Sequence, residues 1–152
     1  MMAPPARMGY VNDMAGLLTP ADIERIAQRC QDIQRTTQAE LIVMIVATTA
    51  PLQPAEYVFW LANRWHMGGP ENRGLLILLA LQEHRIESEV GYGLEAWLSD
   101  EESLQILQTH VVPFLRAEQY AAGLYQAVDI LGKTLVVKQN AATGRRWRSY
   151  FA

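Results

Sequence analysis

The sequence predicts an α/β fold, a three-layer α/β/α sandwich around a small mixed sheet of about four strands. Two observations carry this. The runs Glu40–Ala47 and Leu75–Leu81 are continuously apolar and rich in Ile, Val and Leu, the mark of strands covered on both faces. Around them lie segments with helical spacing, in the order helix, strand, helix, strand, strand, helix, helix, so layers fall above and below one sheet. At 152 residues and 50% hydrophobic, the chain has the material for a single core, expected over residues 1–138 and centred on about 10–137.

Each element has its own signal. Residues up to about Gly16 read as an arm in which Tyr10–Asn12 is short enough for a marginal fourth strand. Thr19 then supplies an N-cap, Pro20 suits the first helical position, Asp22 completes a capping box and Leu18 can staple to Ile23. Ile23, Ile26, Ala27, Cys30 and Ile33 continue at helical spacing to about Arg35. Pro54 to Trp65 resumes that spacing through Tyr57, Val58 and Leu61, and the glycines after His66 end it. Gln82-Glu83-His84 is a hairpin connection. In Arg85–Val90, Ile86, Ser88 and Val90 alternate with Glu87 and Glu89, which suits an edge strand with one face less buried. Ser99 with Glu102 opens a helix that Pro113 interrupts, and Glu118 to Lys138 is a long amphipathic helix. Residues 139–152, polar and then basic and aromatic, are expected to form a mobile tail that could dock on a membrane surface or a partner.

Composition excludes several functions. A formal charge of -3 with no concentrated basic face argues against nucleic acid. Cys30 is the single cysteine, so no disulfide forms within the chain; a monomer is the expected state. No apolar run of about 18 residues spans a bilayer and no stretch near Met1 has signal-peptide length, so a complete chain would be cytoplasmic.

The candidate chemistry lies after the second apolar strand. Gly91-x-Gly93-x-x-Ala96 follows a strand and precedes a helix, but the βαβ unit and the acid-ended second strand of a dinucleotide site are missing, so no nucleotide cofactor is expected. The glycines are expected to serve a tight turn. Asp13, Glu95 and Asp100 can supply the scattered oxygens that hard cations take. They can equally be structural, with Asp13 capping a turn, Glu95 solvated and Asp100 favouring a helix N-terminus. His66, His84 and His110 show no metal-ligand spacing, no hydrolase triad is visible, and Trp97 reads as a plug at the end of the sheet.

The ordered blocks Val11-Asn12-Asp13-x-Ala15-Gly16-x-Leu18-Thr19, Trp65-x-Met67-Gly68, Asn72-Arg73-Gly74-Leu75-Leu76, Glu89-Val90-Gly91-Tyr92-Gly93-Leu94-Glu95-x-x-Leu98-x-Asp100 and Val112-Pro113-x-x-Arg116-x-x-x-Tyr120-x-x-Gly123 together resemble the TPM domain family over about Tyr10 to Leu135. That resemblance implies an α/β/α sandwich. The family includes a thylakoid-lumen protein described as an acid phosphatase, a photosystem II repair factor and many bacterial proteins, commonly exported and tethered by a membrane helix. Some members bind calcium at an acidic end of the sheet. Carried over by position, the resemblance implies metal ligands at Asp13, Asn72, Glu95 and Asp100, with Glu95 and Asp100 as catalytic candidates if the chain is a metal-assisted phosphatase. This chain carries Asn72 where similar proteins usually have Asp, which removes a charge and a candidate acid or nucleophile. The expectation is therefore a weakly or non-catalytic module that binds calcium and a protein partner near a membrane. The alternatives are a phosphomonoesterase and a purely structural interaction domain without an ion.

Overall fold

The computed structural model describes residues 2–151, with side chains described for residues 2–142. Strands β1 (Val11–Asp13), β2 (Glu40–Val46), β3 (Gly74–Ala80) and β4 (Arg85–Val90) form one sheet in the order β1-β2-β3-β4. The first three run parallel, and β4 returns antiparallel to β3. The expected mixed four-strand sheet is present, with β1 one residue later than the Tyr10–Asn12 run.

The helices are α1 (Pro20–Thr37), α2 (Pro54–Trp65), α3 (Asp100–His110), α4 (Val112–Arg116) and α5 (Tyr120–Phe151). The α1 N-terminus folds as its sequence dictates: Asp22 N–H donates to Thr19 Oγ1 (3.1 Å) and Thr19 N–H to Asp22 Oδ2 (3.3 Å). The second expected capping box is only half formed. Glu102 N–H donates to Ser99 Oγ (3.0 Å), but the Glu102 carboxylate reaches out to Lys138 Nζ on α5 (3.3 Å) instead of back to Ser99. Pro113 ends α3 and opens the short α4.

The strand period of two splits each apolar run between two cores. Leu41, Val43, Ile45, Leu75, Ile77 and Leu79 point to one face, under Ile26, Cys30 and Ile33 of α1, Leu107 of α3 and Leu124, Val128 and Leu131 of α5. Ile42, Met44, Val46, Leu76, Leu78 and Ala80 point to the other, where α2 alone supplies Tyr57, Val58 and Leu61. Because β1, β2 and β3 are parallel and in sequence order while α1 and α2 cross on opposite faces, the two crossovers have opposite hands. One therefore departs from the right-handed rule.

Helix α5 runs past the expected domain end at Lys138. Gln139 Nε2 donates to Thr37 O at the end of α1 (3.2 Å). The tail's arginines and aromatics belong to the residues whose side chains lie outside the described set, and so does its expected mobility. Cys30 is free and fully buried, and burial pushes its thiol up to about 12, so it is an inert part of the core. Among the described residues no helix is long and apolar enough to cross a membrane.

Candidate functional site

Helix α2 lies over β3 and β4, and a cleft opens where its C-terminal half meets the end of β4. Glu87 and Glu89 of β4 point to that side, since Ile86 and Val90 point into the other core. Glu87 is buried and paired with Arg85. Glu89 faces a cleft of about 470 Å³, lined also by Phe59 and His66 of α2 and its C-terminus, Asn72, Tyr92 and Glu95.

The cleft floor is built by backbones packed on one another. Asn72 closes a 3-10 turn (Gly69–Glu71) with φ of 55°, a left-handed conformation that Asn tolerates better than most residues. Its carbonyl accepts from Gly93 N–H (2.9 Å), and Gly74 O accepts from Gly91 N–H (2.7 Å). A Cβ on Gly91 would lie 2.3 Å from Asn72 O, and one on Gly93 would lie 2.1 Å from Glu71 O. These glycines are needed for close approach of two backbones. The expected tight-turn role is corrected for Gly91, whose φ is an ordinary -68°. Glu40 anchors the same loop from below, accepting from Gly68 N–H (3.0 Å) and Arg7 Nη1 (2.9 Å). Burial opposes its charge, yet these bonds and the Arg7 charge hold its carboxyl below the usual range.

Charge in the cleft is one-sided. Its lining contains no Lys or Arg. Burial, with Asp100 and Glu95 nearby, pushes the Glu89 carboxyl up to about 7. Arg73, the nearest guanidinium in sequence, is turned to Glu71 (3.1 Å), to Gln38 (2.9 Å) and over the Trp97 ring (5.7 Å). Trp97 packs against the larger core, as a plug should.

The four residues expected as ligands are not brought together. Asn72 and Glu95 line the cleft. Asp100, the first residue of α3, lies beside it, with Oδ1 accepting from Val90 N–H (2.7 Å) and so covering a donor on the sheet's edge strand. Asp13 is at the other end of the sheet: it pairs with Ile45, whereas Gly74, beside the cleft, pairs with Glu40. Five strand residues separate those positions, roughly 16 Å. Both Asp13 carboxylate oxygens accept local N–H groups, from Ala15 (3.2 Å) and Leu18 (2.7 Å), which shapes the turn into α1. Asp13 therefore cannot share an ion with the cleft residues.

Glu89 was missed as a site residue. The alternation of acids on an edge strand was its signal, and it could be read only once the thinly covered face was known. His66 caps α2 in a left-handed conformation at the cleft wall, while the exposed Phe59 and Tyr92 line its mouth. Among the described residues no three His, Cys, Asp or Glu side chains close into a metal-ligand cluster.

The architecture is that of a small α/β/α domain with an acidic cleft at one end of its sheet. The chain belongs to the TPM domain family, whose model matches residues 11–134. No curated protein matches it. It is similar to the solution structure of the N-terminal domain of a protein from P. gingivalis, at 31% identity and a TM-score of 0.77, covering 83% of this chain and 81% of that one. The N-terminal domain of cg2496 from Corynebacterium glutamicum matches at 16% identity and 0.70, over 88% and 84% of the two chains. The BA42 protein of Bizionia argentinensis matches at 16% and 0.71, over 83% and 86%. These last two speak to the fold.

Proposed function

We propose that this TPM domain binds a divalent cation, calcium, in the cleft between α2 and β4, and that it presents this cleft to a protein partner near a membrane with little or no catalysis. The observation that carries the reading is that Glu89, Glu95 and Asn72 line one cleft free of Lys and Arg. The donor set is all oxygen, which suits a hard cation. With two carboxylates lining the cleft and, among the described residues, no third acid closing the cluster, carbonyl oxygens and water would complete the shell, and the affinity belongs to the weak, millimolar class. Bound there, a cation would neutralise the repulsion among Glu89, Glu95 and Asp100. Phe59 (57% exposed) and Tyr92 (82% exposed) give the mouth of the cleft the aromatic surface that protein interfaces favour.

Thermal shift tests this. At ten times the dissociation constant, one bound ion adds about 1.4 kcal/mol, a rise of roughly 3–6 °C for a chain of this size. Glu89→Gln and Glu95→Gln should abolish it. No rise at millimolar calcium, or a rise that survives both substitutions, contradicts the reading.

A phosphomonoesterase reading is favoured by one observation, the Glu89 carboxyl held at about 7, where it can hold a proton at neutral pH and act as a general acid. A bound cation would supply polarisation of the phosphoryl oxygens. Glu95 remains a candidate for the same work, while Asp100 has one oxygen committed to Val90. Sustained turnover of p-nitrophenyl phosphate that disappears in Glu89→Gln supports this reading; turnover unchanged by that substitution contradicts it.

A further inference from the structure

A second pocket, of about 230 Å³, opens at the hairpin end of β3 and β4, away from the acidic cleft. Its walls are Leu79, Ile86, Val112 and Leu115, and Arg116 and Tyr120 stand at its edge. Val112 and Arg116 are four residues apart on α4 and so share a helix face, and Tyr120 opens α5. Arg116 is exposed and, among the described residues, makes no ion pair or side-chain hydrogen bond. Arg85 also borders the pocket, but its guanidinium is committed to Glu87. His84, at the hairpin, completes the rim. Among the described residues no acid pairs with Arg116: Glu83 of the hairpin turns its carboxylate to Thr48 (2.6 Å) and Thr49 (3.1 Å), and Glu118 makes no ion pair.

We propose that this pocket binds a small amphiphilic carboxylate, an apolar body of medium chain length whose terminal carboxylate pairs with Arg116. The apolar walls favour burial of a hydrocarbon body. The guanidinium fork matches a carboxylate in two parallel hydrogen bonds. A single uncommitted guanidinium balances a monoanion and leaves a phosphate dianion under-neutralised. The volume lies below the range of drug-sized pockets, which selects a short ligand.

Octanoate titrated into the isotope-labelled full chain and followed by amide NMR shifts tests the proposal. Saturable shifts are expected at Leu81, Ile86, Leu115 and Tyr120, with octanol and acetate each binding about tenfold more weakly or worse. Arg116→Gln should weaken octanoate by a similar factor without changing octanol binding or the melting temperature, and Arg116→Lys should fall between. The proposal is overturned if those residues show no saturable shifts, if octanol binds as well as octanoate, or if Arg116→Gln binds octanoate like the parent. Tighter binding of a short apolar peptide through its free C-terminal carboxylate would also overturn it, assigning the pocket to a polypeptide end.

Discussion

The two faces of the sheet are built from the same strands and do different work. One face lies under α1, α3 and α5, and its side chains are closed into a continuous core. The other lies under α2 alone, whose twelve residues lie over β3 and β4 and, at their C-terminal end, form a cleft with Glu89 and the glycine loop. The thick layer makes stability and the single-helix layer leaves room for a site: Glu89 stands in the cleft that the end of α2 forms with the glycine loop. Substitutions on the two faces should therefore separate into those that unfold the domain and those that alter only the cleft.

The largest effect is expected on the thick face. Leu131→Ala removes a fully buried side chain of α5 and should cost about 2–5 kcal/mol in urea unfolding, leaving the cleft chemistry intact in the folded fraction. A cost under about 1 kcal/mol would mean that α5 is not part of the core layer. Next is Gly93→Ala, which drives a methyl into Glu71 O and should cost about 1–3 kcal/mol. Unlike Leu131→Ala, it should also shift the amide NMR signals of Asn72 and Glu89; unchanged signals there would separate the glycine loop from the cleft.

Asp100→Ala should cost about 1 kcal/mol, since it leaves Val90 N–H without its partner. Its calcium response should persist, and loss of that response would return Asp100 to the ligand set. The Glu89 carboxyl gives a pH signature. Its folded value of about 7 lies above the usual carboxylate range, so between about 4.5 and 7 the folded state holds a proton that the unfolded chain has released, and stability falls as pH rises through that window. Glu89→Gln should flatten that slope and raise the melting temperature at pH 8. The smallest effect is expected for Phe59→Ala, which should change stability by less than about 0.5 kcal/mol because the ring is exposed.

Most of the fold was legible because it rests on local signals. The continuous runs at β2 and β3, the Thr19–Asp22 box and Pro54 each fix an element without reference to distant residues. The ligand set was less legible because position in a family block does not say which end of the sheet a residue occupies. Asp13 is the last residue of β1, whereas Asn72 precedes β3, and parallel strands put those two points at opposite ends. The glycines were legible as special but not in their reason, which lies in carbonyls from residues 71 and 72, a whole hairpin earlier. Glu89 was hidden because an acid on an edge strand is ordinarily solvated, and only α2 lying across β4 makes its surroundings a cleft.

The most direct test of the account is a calcium titration of the isotope-labelled chain followed by amide NMR shifts. The account predicts saturable shifts confined to His66, Asn72 and Glu89–Glu95, lost in Glu89→Gln. Saturable shifts centred on Asp13, Ala15 and Leu18, or none at millimolar calcium, would contradict it.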